Sequence, residues 1–385
     1  MFNNKTINKF RSLATPFYYY DLETLNDTLN SLLINSDSDN FKIHYALKAN
    51  ANNKILEIIK HNGIGADCVS GNEIKKAVET GFNPSDIVFA GVGKSDEEII
   101  TGINTGISCF NCESLQELQT INELAKGNNN IINVALRINP NIDAKSHYYI
   151  TTGLKENKFG ISQNELNEII NNLSNFNSLK LTGLHFHIGS QITNFEVFKS
   201  LCIRINEMQR WFTDMGIFFE HINVGGGLGV DYVNVNKNPI PNFKEYFNIF
   251  KELLEIHSGQ SVYFELGRSI VANCGSLISK VLYIKKGTTT KFVILDAGMT
   301  ELIRPALYQS YHKIENLSSE GTKEIYDVVG PICETSDIFG KAVSLPFTHR
   351  DDLIVIRSTG AYGEVMSLSY NLRDKAKHHY SDELK

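Results

Sequence analysis

Lys48, Asp67, Arg137, His187, Gly225 and Glu265 each stand at the carboxyl end of a short apolar run. A lysine delivered by such a run into a dry site is desolvated; its pKa falls and its neutral amine can form a Schiff base with an aldehyde. The structural alternative for Lys48 is an ammonium that snorkels to the rim or pairs with a carboxylate. Glu265 supplies a carboxylate that, facing a pyridine nitrogen, would keep it protonated and make a pyridoxal ring an electron sink. Its competing use is an ion pair with Arg268 or another base. His187, in HFHIGSQ, could lie flat against such a ring while Ser190 helps to hold a phosphate. Gly225, Gly226 and Gly227 let backbone N–H groups approach an anion. His185 and His187 share one face of a strand and raise a metal pair as a rival, but no convincing third ligand accompanies them. Asp67 and Arg137 are expected to pair and brace the site.

The runs that carry these residues are Ile43–Leu47, Ile64–Ala66, Ile87–Ala90, Ile107–Phe110, Val134–Ile138, Leu181–Ile188, Ile222–Val224 and Val262–Leu266. Between them lie stretches with helical apolar spacing, such as Lys54–His61, Glu73–Thr80, Asp96–Ile103 and Leu115–Lys126. Eight such alternations are the sequence form of an α/β parallel (β/α)8, TIM-like barrel, whose chemistry gathers at the carboxyl ends of its strands. The glycine run then follows the seventh strand, a common phosphate position in barrels. The polar stretch from Pro140 to Gly160 follows the fifth, where functional loops occur, and is expected to shield the site. After Glu265, the segments Gly275–Lys285, Lys291–Asp296, Lys323–Val329, Asp352–Ser358 and Glu364–Ser369 read as β runs with little helix between them. The predicted division is a barrel over 25–271 and a mostly β domain built from 1–24 and 272–385, with Thr15–Asp21 as an added strand.

A chain of 385 residues, 42% hydrophobic, can bury more than one core. A formal charge of -6 gives no basic footprint for nucleic acid, so the expected partner is a small molecule. Six cysteines lack the density of a secreted disulfide framework, and the Cys109/Cys112 spacing ends a strand rather than opening a redox helix. The opening MFNNKTINKF has no apolar signal core, and no segment approaches the roughly 18 to 20 apolar residues of a membrane span. A cytoplasmic enzyme acting on a small molecule is the expectation.

Taken together, YALKAN at 45–50, GADCVSGNE at 65–73, RINPNIDAKSHYYITTGLKENKFGI at 137–161, HFHIGSQI at 185–192, VGGGLG at 224–229, ELGRS at 265–269, DAGMTELIRPALY at 296–308, GPICETSD at 330–337 and GAYGEVMSLSYN at 360–371 resemble the diaminopimelate decarboxylase family, in the alanine-racemase-like class of pyridoxal-phosphate enzymes. The resemblance covers nearly the whole chain. It implies a Greek-key β domain and a homodimer with shared active sites. It implies that Lys48 carries pyridoxal 5'-phosphate covalently, that His187 stacks on its ring and that Glu265 meets its nitrogen. Asp67, Ser190, Gly225, Gly226, Gly227, Leu266, Gly267, Arg268 and Tyr362 complete the implied cofactor site. Arg268 and Arg304 would take the distal carboxylate of the substrate, where a guanidinium fork matches two oxygens. Tyr308, Glu334 and Tyr362 would take its other polar groups, and Cys333 would return a proton to the carbon that loses carbon dioxide. Leu266 departs from the family's usual proline, adding an N–H and loosening φ. The implied reaction is decarboxylation of meso-diaminopimelate to L-lysine. Its rivals are decarboxylation of ornithine, arginine or carboxynorspermidine, a non-catalytic pyridoxal-phosphate-binding protein, and a metal-dependent barrel hydrolase.

Overall fold

The structure, a computed structural model, describes residues 2–127, 131–140, 142 and 158–384. Most of the polar stretch between Pro140 and Gly160, and the Asn128–Asn130 patch, lie outside the described residues. Two compact units emerge: one comprises Leu29–Gly229 and Asn242–Gly267, the other Met1–Thr28, Val230–Pro241 and Arg268–Lys385.

The first strand, β1 (Phe17–Tyr20), belongs to the second unit. The first unit is a closed parallel barrel of eight strands. They are β2 (Phe41–Ala46), β3 (Gly65–Cys68), β4 (Ile87–Phe89), β5 (Cys109–Cys112), β6 (Ile132–Arg137), β7 (Leu179–His185), β8 (His221–Asn223) and β9 (Ser261–Leu266). Closure is made by β2 against β9, with Tyr45 in register with Leu266. The helices between the strands begin where the sequence supplies a hydroxyl. Ser70, Ser95, Ser114 and Ser162 each accept the backbone N–H three residues on, and Ser95 with Glu98 forms a reciprocal capping box. Gly81 and Gly106, at φ of 91° and 71°, end two of them in the left-handed turn.

The barrel interior is more polar than its apolar runs suggest. His44, Asn111, His185, His221 and Asn223 are all buried inside strands. Gly183 is glycine because an imidazole fills the space a side chain would need: a Cβ there would sit 2.3 Å from His221 Nε2.

The second unit is a mixed, mostly β structure. Its sheet runs β12 (Ile314–Asn316), β15 (Leu353–Ile356), β10 (Gly275–Lys286), β11 (Lys291–Leu295), β13 (Lys323–Val329), β14 (Ile338–Pro346), with β1 paired antiparallel to β10 and parallel to β16 (Lys377–Tyr380). Phe10, Phe17, Tyr19, Ile278, Leu353 and Val355 form one of its core clusters, which is why an aromatic N-terminal segment joins strands from the far end of the chain. One expected β run is corrected: Glu364–Met366 is a single 3-10 turn. There the Glu364 carboxylate accepts from the Tyr20 hydroxyl at 2.7 Å, an anchor that a sheet ladder would not provide.

Candidate active site

β2 ends at Ala46, and the 3-10 turn Leu47–Ala49 carries Lys48 past the strand. Lys48 Nζ donates to Asp67 Oδ2 at 2.6 Å; the lysine side chain is 34% exposed and the aspartate fully buried. The pair bridges neighbouring strands, since Ala46 is in register with Asp67. Asp67 therefore does not pair with Arg137 as expected. β3 and β6 are not neighbours in the barrel, and Arg137 Nη1 donates instead to Glu113 Oε1 at 2.6 Å, from the residue that follows adjacent β5. Glu113 Oε2 also accepts from Gly160 N at 3.0 Å, and the Arg137 guanidinium lies 4.8 Å over the Phe159 ring. This buried ion pair fixes where the chain rejoins the barrel. Burial and the nearby Glu265 carboxylate push the Asp67 carboxyl up to about 7 against the pull of Lys48. Asp67 Oδ1 has no hydrogen-bond partner among the described residues.

Glu265 is held by three donors. Asn111 Nδ2 and Asn223 Nδ2 donate to Oε1 at 3.1 and 2.7 Å, and His185 Nε2 donates to Oε2 at 3.0 Å. Burial alone would raise the Glu265 carboxyl, but His185, by field and hydrogen bond, and then Lys48 hold it well below the usual carboxylate range. It is a fixed buried anion. His185, weighed above as half of a metal pair, is thus a Glu265 ligand. Asn223 is two-ended, because its Oδ1 accepts from Gly225 N at 2.9 Å and ties the carboxylate to the glycine run.

His187 lies two residues beyond β7. Gly226 N–H donates to His187 Nδ1 at 3.3 Å, which makes that nitrogen an acceptor and the ring neutral. Burial, with the cations Arg137 and Lys48, pushes the imidazole well below its ordinary range. The glycines are demanded by close approach: a Cβ on Gly225 would fall 2.2 Å from Phe186 O, and one on Gly226 2.1 Å from Glu265 O. Ser190 sits in the turn stitched to that run, where Ile192 N donates to Gly227 O and Gly229 N to Ile192 O, both at 2.9 Å. Leu266 and Gly267 are packed directly behind Glu265; a Cβ on Gly267 would meet those of Ala49 and Ala46 at 3.0 and 3.1 Å. A half-exposed amine, a fixed anion, a neutral flat imidazole and a glycine-lined turn suit the aldehyde, ring nitrogen, ring face and phosphate of pyridoxal phosphate.

The same interior offers a pH test. His221 is stacked on Tyr263, 4.5 Å between ring centroids and 10° between planes, and burial followed by the field of His44 pushes it from 6.5 down to about 3. The unfolded chain then binds a proton that the folded one refuses, so this contribution is complete above 6.5 and is lost as the pH falls toward about 3. His221→Phe keeps the stack and removes the titration. The slope of unfolding free energy against pH between about 6 and 4 should drop by about one proton, or ~1.4 kcal/mol per pH unit. Superimposable slopes would show that His221 does not titrate in this way.

In the second unit, Arg268 opens the short helix Arg268–Val271 and Arg304 opens Arg304–Tyr308, with Pro305 at its start. Arg268 Nη1 and Arg304 Nη1 donate to one oxygen, the Tyr232 hydroxyl, at 2.8 and 2.9 Å. The Arg268 guanidinium also lies 4.8 Å over the ring of Tyr362, a residue held at a φ of 56°. Arg304 is 4% exposed, its Nε has no acceptor, and no carboxylate lies within ion-pair distance of it among the described residues. Tyr308 lies at the end of the Arg304 helix, and its field acts on Arg268. Cys333 is exposed, its N–H donating to Asn371 Oδ1 at 3.3 Å, and Glu334 accepts from the Tyr370 hydroxyl at 2.9 Å. Asn111, Glu113, Asn223 and Tyr232 were not among the residues singled out from sequence. For the first three a signal existed, since each is a polar residue in or directly after a barrel strand; Tyr232 had none.

The description "pyridoxal-dependent decarboxylase, pyridoxal binding domain" matches residues 25–272. The diaminopimelate decarboxylase of Bacteroides thetaiotaomicron is 56% identical over 381 residues, covering 98% of each chain. That of Haemophilus influenzae is 40% identical over 362 residues, covering 94% of this chain and 86% of its own. The crystal structure of diaminopimelate decarboxylase from Helicobacter pylori complexed with L-lysine superimposes with a TM-score of 0.92 at 38% identity, covering 98% of this chain and 94% of that one. With a fixed carboxylate, a lysine amine and a glycine-lined turn at one end of its barrel, the chain belongs to the diaminopimelate decarboxylase family of pyridoxal-dependent decarboxylases.

Proposed function

We propose that this protein decarboxylates meso-diaminopimelate to L-lysine and carbon dioxide, with pyridoxal 5'-phosphate as cofactor. The observation that carries the substrate is the Arg268–Arg304 pair: two buried guanidiniums, one with an unused Nε donor and no carboxylate partner of its own among the described residues. Such a pair calls for an external anion, and a diamino acid carries a carboxylate at the end that does not react. A substrate with a cationic far end, such as ornithine, meets the wrong sign of charge. Pyridoxal phosphate, when bound, supplies the sink for the electron pair left as carbon dioxide departs. Lys48 would hold the cofactor's aldehyde carbon at Nζ. Glu265 would meet its ring nitrogen and favour a proton there, His187 would cover the ring face, and Ser190 with Gly225–Gly227 would hold the phosphate. Tyr308 and Tyr362 line the substrate, and Glu334 faces its remaining ammonium. Cys333 delivers a proton to the α-carbon.

The exposure of Cys333 and Glu334 fits their use in a second subunit's site, and hence a homodimer. Six free cysteines fit a reducing cytoplasm. The test is a substrate panel of meso-diaminopimelate, ornithine, arginine and carboxynorspermidine. The first should exceed the others in kcat/KM by at least about a hundredfold. Arg304→Leu should raise KM for meso-diaminopimelate by about a hundredfold, since one charged hydrogen-bonded contact contributes ~3 kcal/mol. Equal turnover of ornithine, or an unchanged KM in the variant, sinks the assignment.

A further inference from the structure

We propose that Tyr232 is the positioning residue that sets the spacing and direction of the two guanidiniums, and so confers selectivity for a substrate whose far end is a carboxylate; this rests on the reading of Arg268 and Arg304 given above. Two like charges would separate if left to themselves. Here both Nη1 atoms converge on one phenol oxygen, at 2.8 and 2.9 Å, from helices more than thirty residues apart in sequence. The phenol is itself buried and fixed. Its ring takes the His312 ring edge-on at 5.0 Å, and the Arg304 guanidinium lies 5.3 Å from its centroid.

The same Arg304 nitrogen has a second partner. Nη1 also reaches His312 Nε2 at 3.0 Å, while His312 Nδ1 donates to Arg357 O at 2.8 Å, so this imidazole is a neutral acceptor. Burial and the neighbouring Arg304 agree, pushing His312 down to about 3. Tyr232 and His312 thus occupy Nη1 of Arg304, while its buried Nε has no partner among the described residues. A hydroxyl that accepts from two cations also turns the negative end of its dipole to both: burial would raise the Tyr232 phenol, but Arg268 and then Arg304 bring it below its ordinary value. The pair can therefore stay buried before substrate arrives.

The experiment uses the holoenzyme with Tyr232→Phe, which keeps the ring on His312 and removes only the shared acceptor. KM for meso-diaminopimelate should rise about tenfold or more with kcat within about twofold, as expected for loss of a hydrogen bond to charged groups. L-Lysine, which retains a carboxylate, should inhibit the variant about tenfold less well, whereas cadaverine, the same diamine without one, should inhibit both forms equally. A residue that merely fills space would weaken the two inhibitors alike. In the unaltered protein, L-lysine but not cadaverine should perturb the tyrosine ultraviolet difference spectrum, a readout that does not depend on the variant folding. Unchanged KM and L-lysine inhibition in Tyr232→Phe, or no lysine-specific tyrosine signal, overturns the proposal. If the unaltered enzyme fails to turn over meso-diaminopimelate, it is the substrate reading that falls.

Discussion

Lys48→Ala should abolish both covalent retention of the cofactor and turnover, with kcat falling by more than about 10⁴-fold, beyond what loss of acid–base assistance alone removes. The expectation follows from where the amine stands. It is the cationic side chain at the end of β2, brought past the strand by one 3-10 turn, and its acceptor Asp67 is locked in the adjacent strand. The variant should nonetheless fold. Removing Lys48 strips Asp67 of a group that lowers its pKa, and a carboxyl already pushed up to about 7 by burial and Glu265 then becomes a neutral acid rather than an unpaired buried anion. The measurement is the visible absorbance of the reconstituted variant, its turnover of meso-diaminopimelate and its thermal unfolding. A folded variant that still decarboxylates at a tenth of the normal rate is incompatible with the role given to Lys48.

The barrel could be read from the chain because its signal is periodic. Each strand lies within a few residues of its apolar run, since such runs specify existence better than ends. At Ile107–Phe110 the strand is Cys109–Cys112: Asn111 interrupts the apolar run but belongs inside, because Glu265 needs its donor. The same blindness explains the mistaken Asp67–Arg137 pair. Opposite charges at strand ends announce that pairs exist, whereas strand adjacency decides which form, and Glu113 had not been weighed. In the second unit the short strands Ile314–Asn316 and Lys377–Tyr380 carry too little pattern to be seen, and their partners are distant in sequence. Lys48, His187, Glu265 and the glycine run could be read as candidates because strand ends in a barrel are where chemistry is placed. Tyr232 was not, because nothing local distinguishes a tyrosine that accepts from two arginines from one packed in a core.

Glu265→Gln tests the other pole of the barrel site and should lower kcat by about 10²- to 10³-fold, ~3 to 4 kcal/mol, with KM changed only a few-fold. The carboxylate accepts on both oxygens, from two asparagine amides on one and His185 Nε2–H on the other. Glutamine can present only one oxygen. If that oxygen keeps the asparagine pair, its amide faces a histidine N–H, and the ring must move its proton to Nδ1, which is buried without a partner among the described residues. The hydrogen bonds can thus be nearly repaired by a tautomer change, but the negative charge cannot. With it would go the field proposed to hold a proton on a pyridine nitrogen. Loss of Glu265 also removes a charge that raises Asp67, so that carboxyl should titrate lower in the variant. A rate loss therefore accompanies a shifted pH profile rather than a loss of fold. Glu265→Asp, shorter but anionic, should recover part of the rate. If Gln and Asp variants were equally impaired, geometry rather than charge would be what Glu265 contributes, and the reading of it as the keeper of the ring-nitrogen proton would fail.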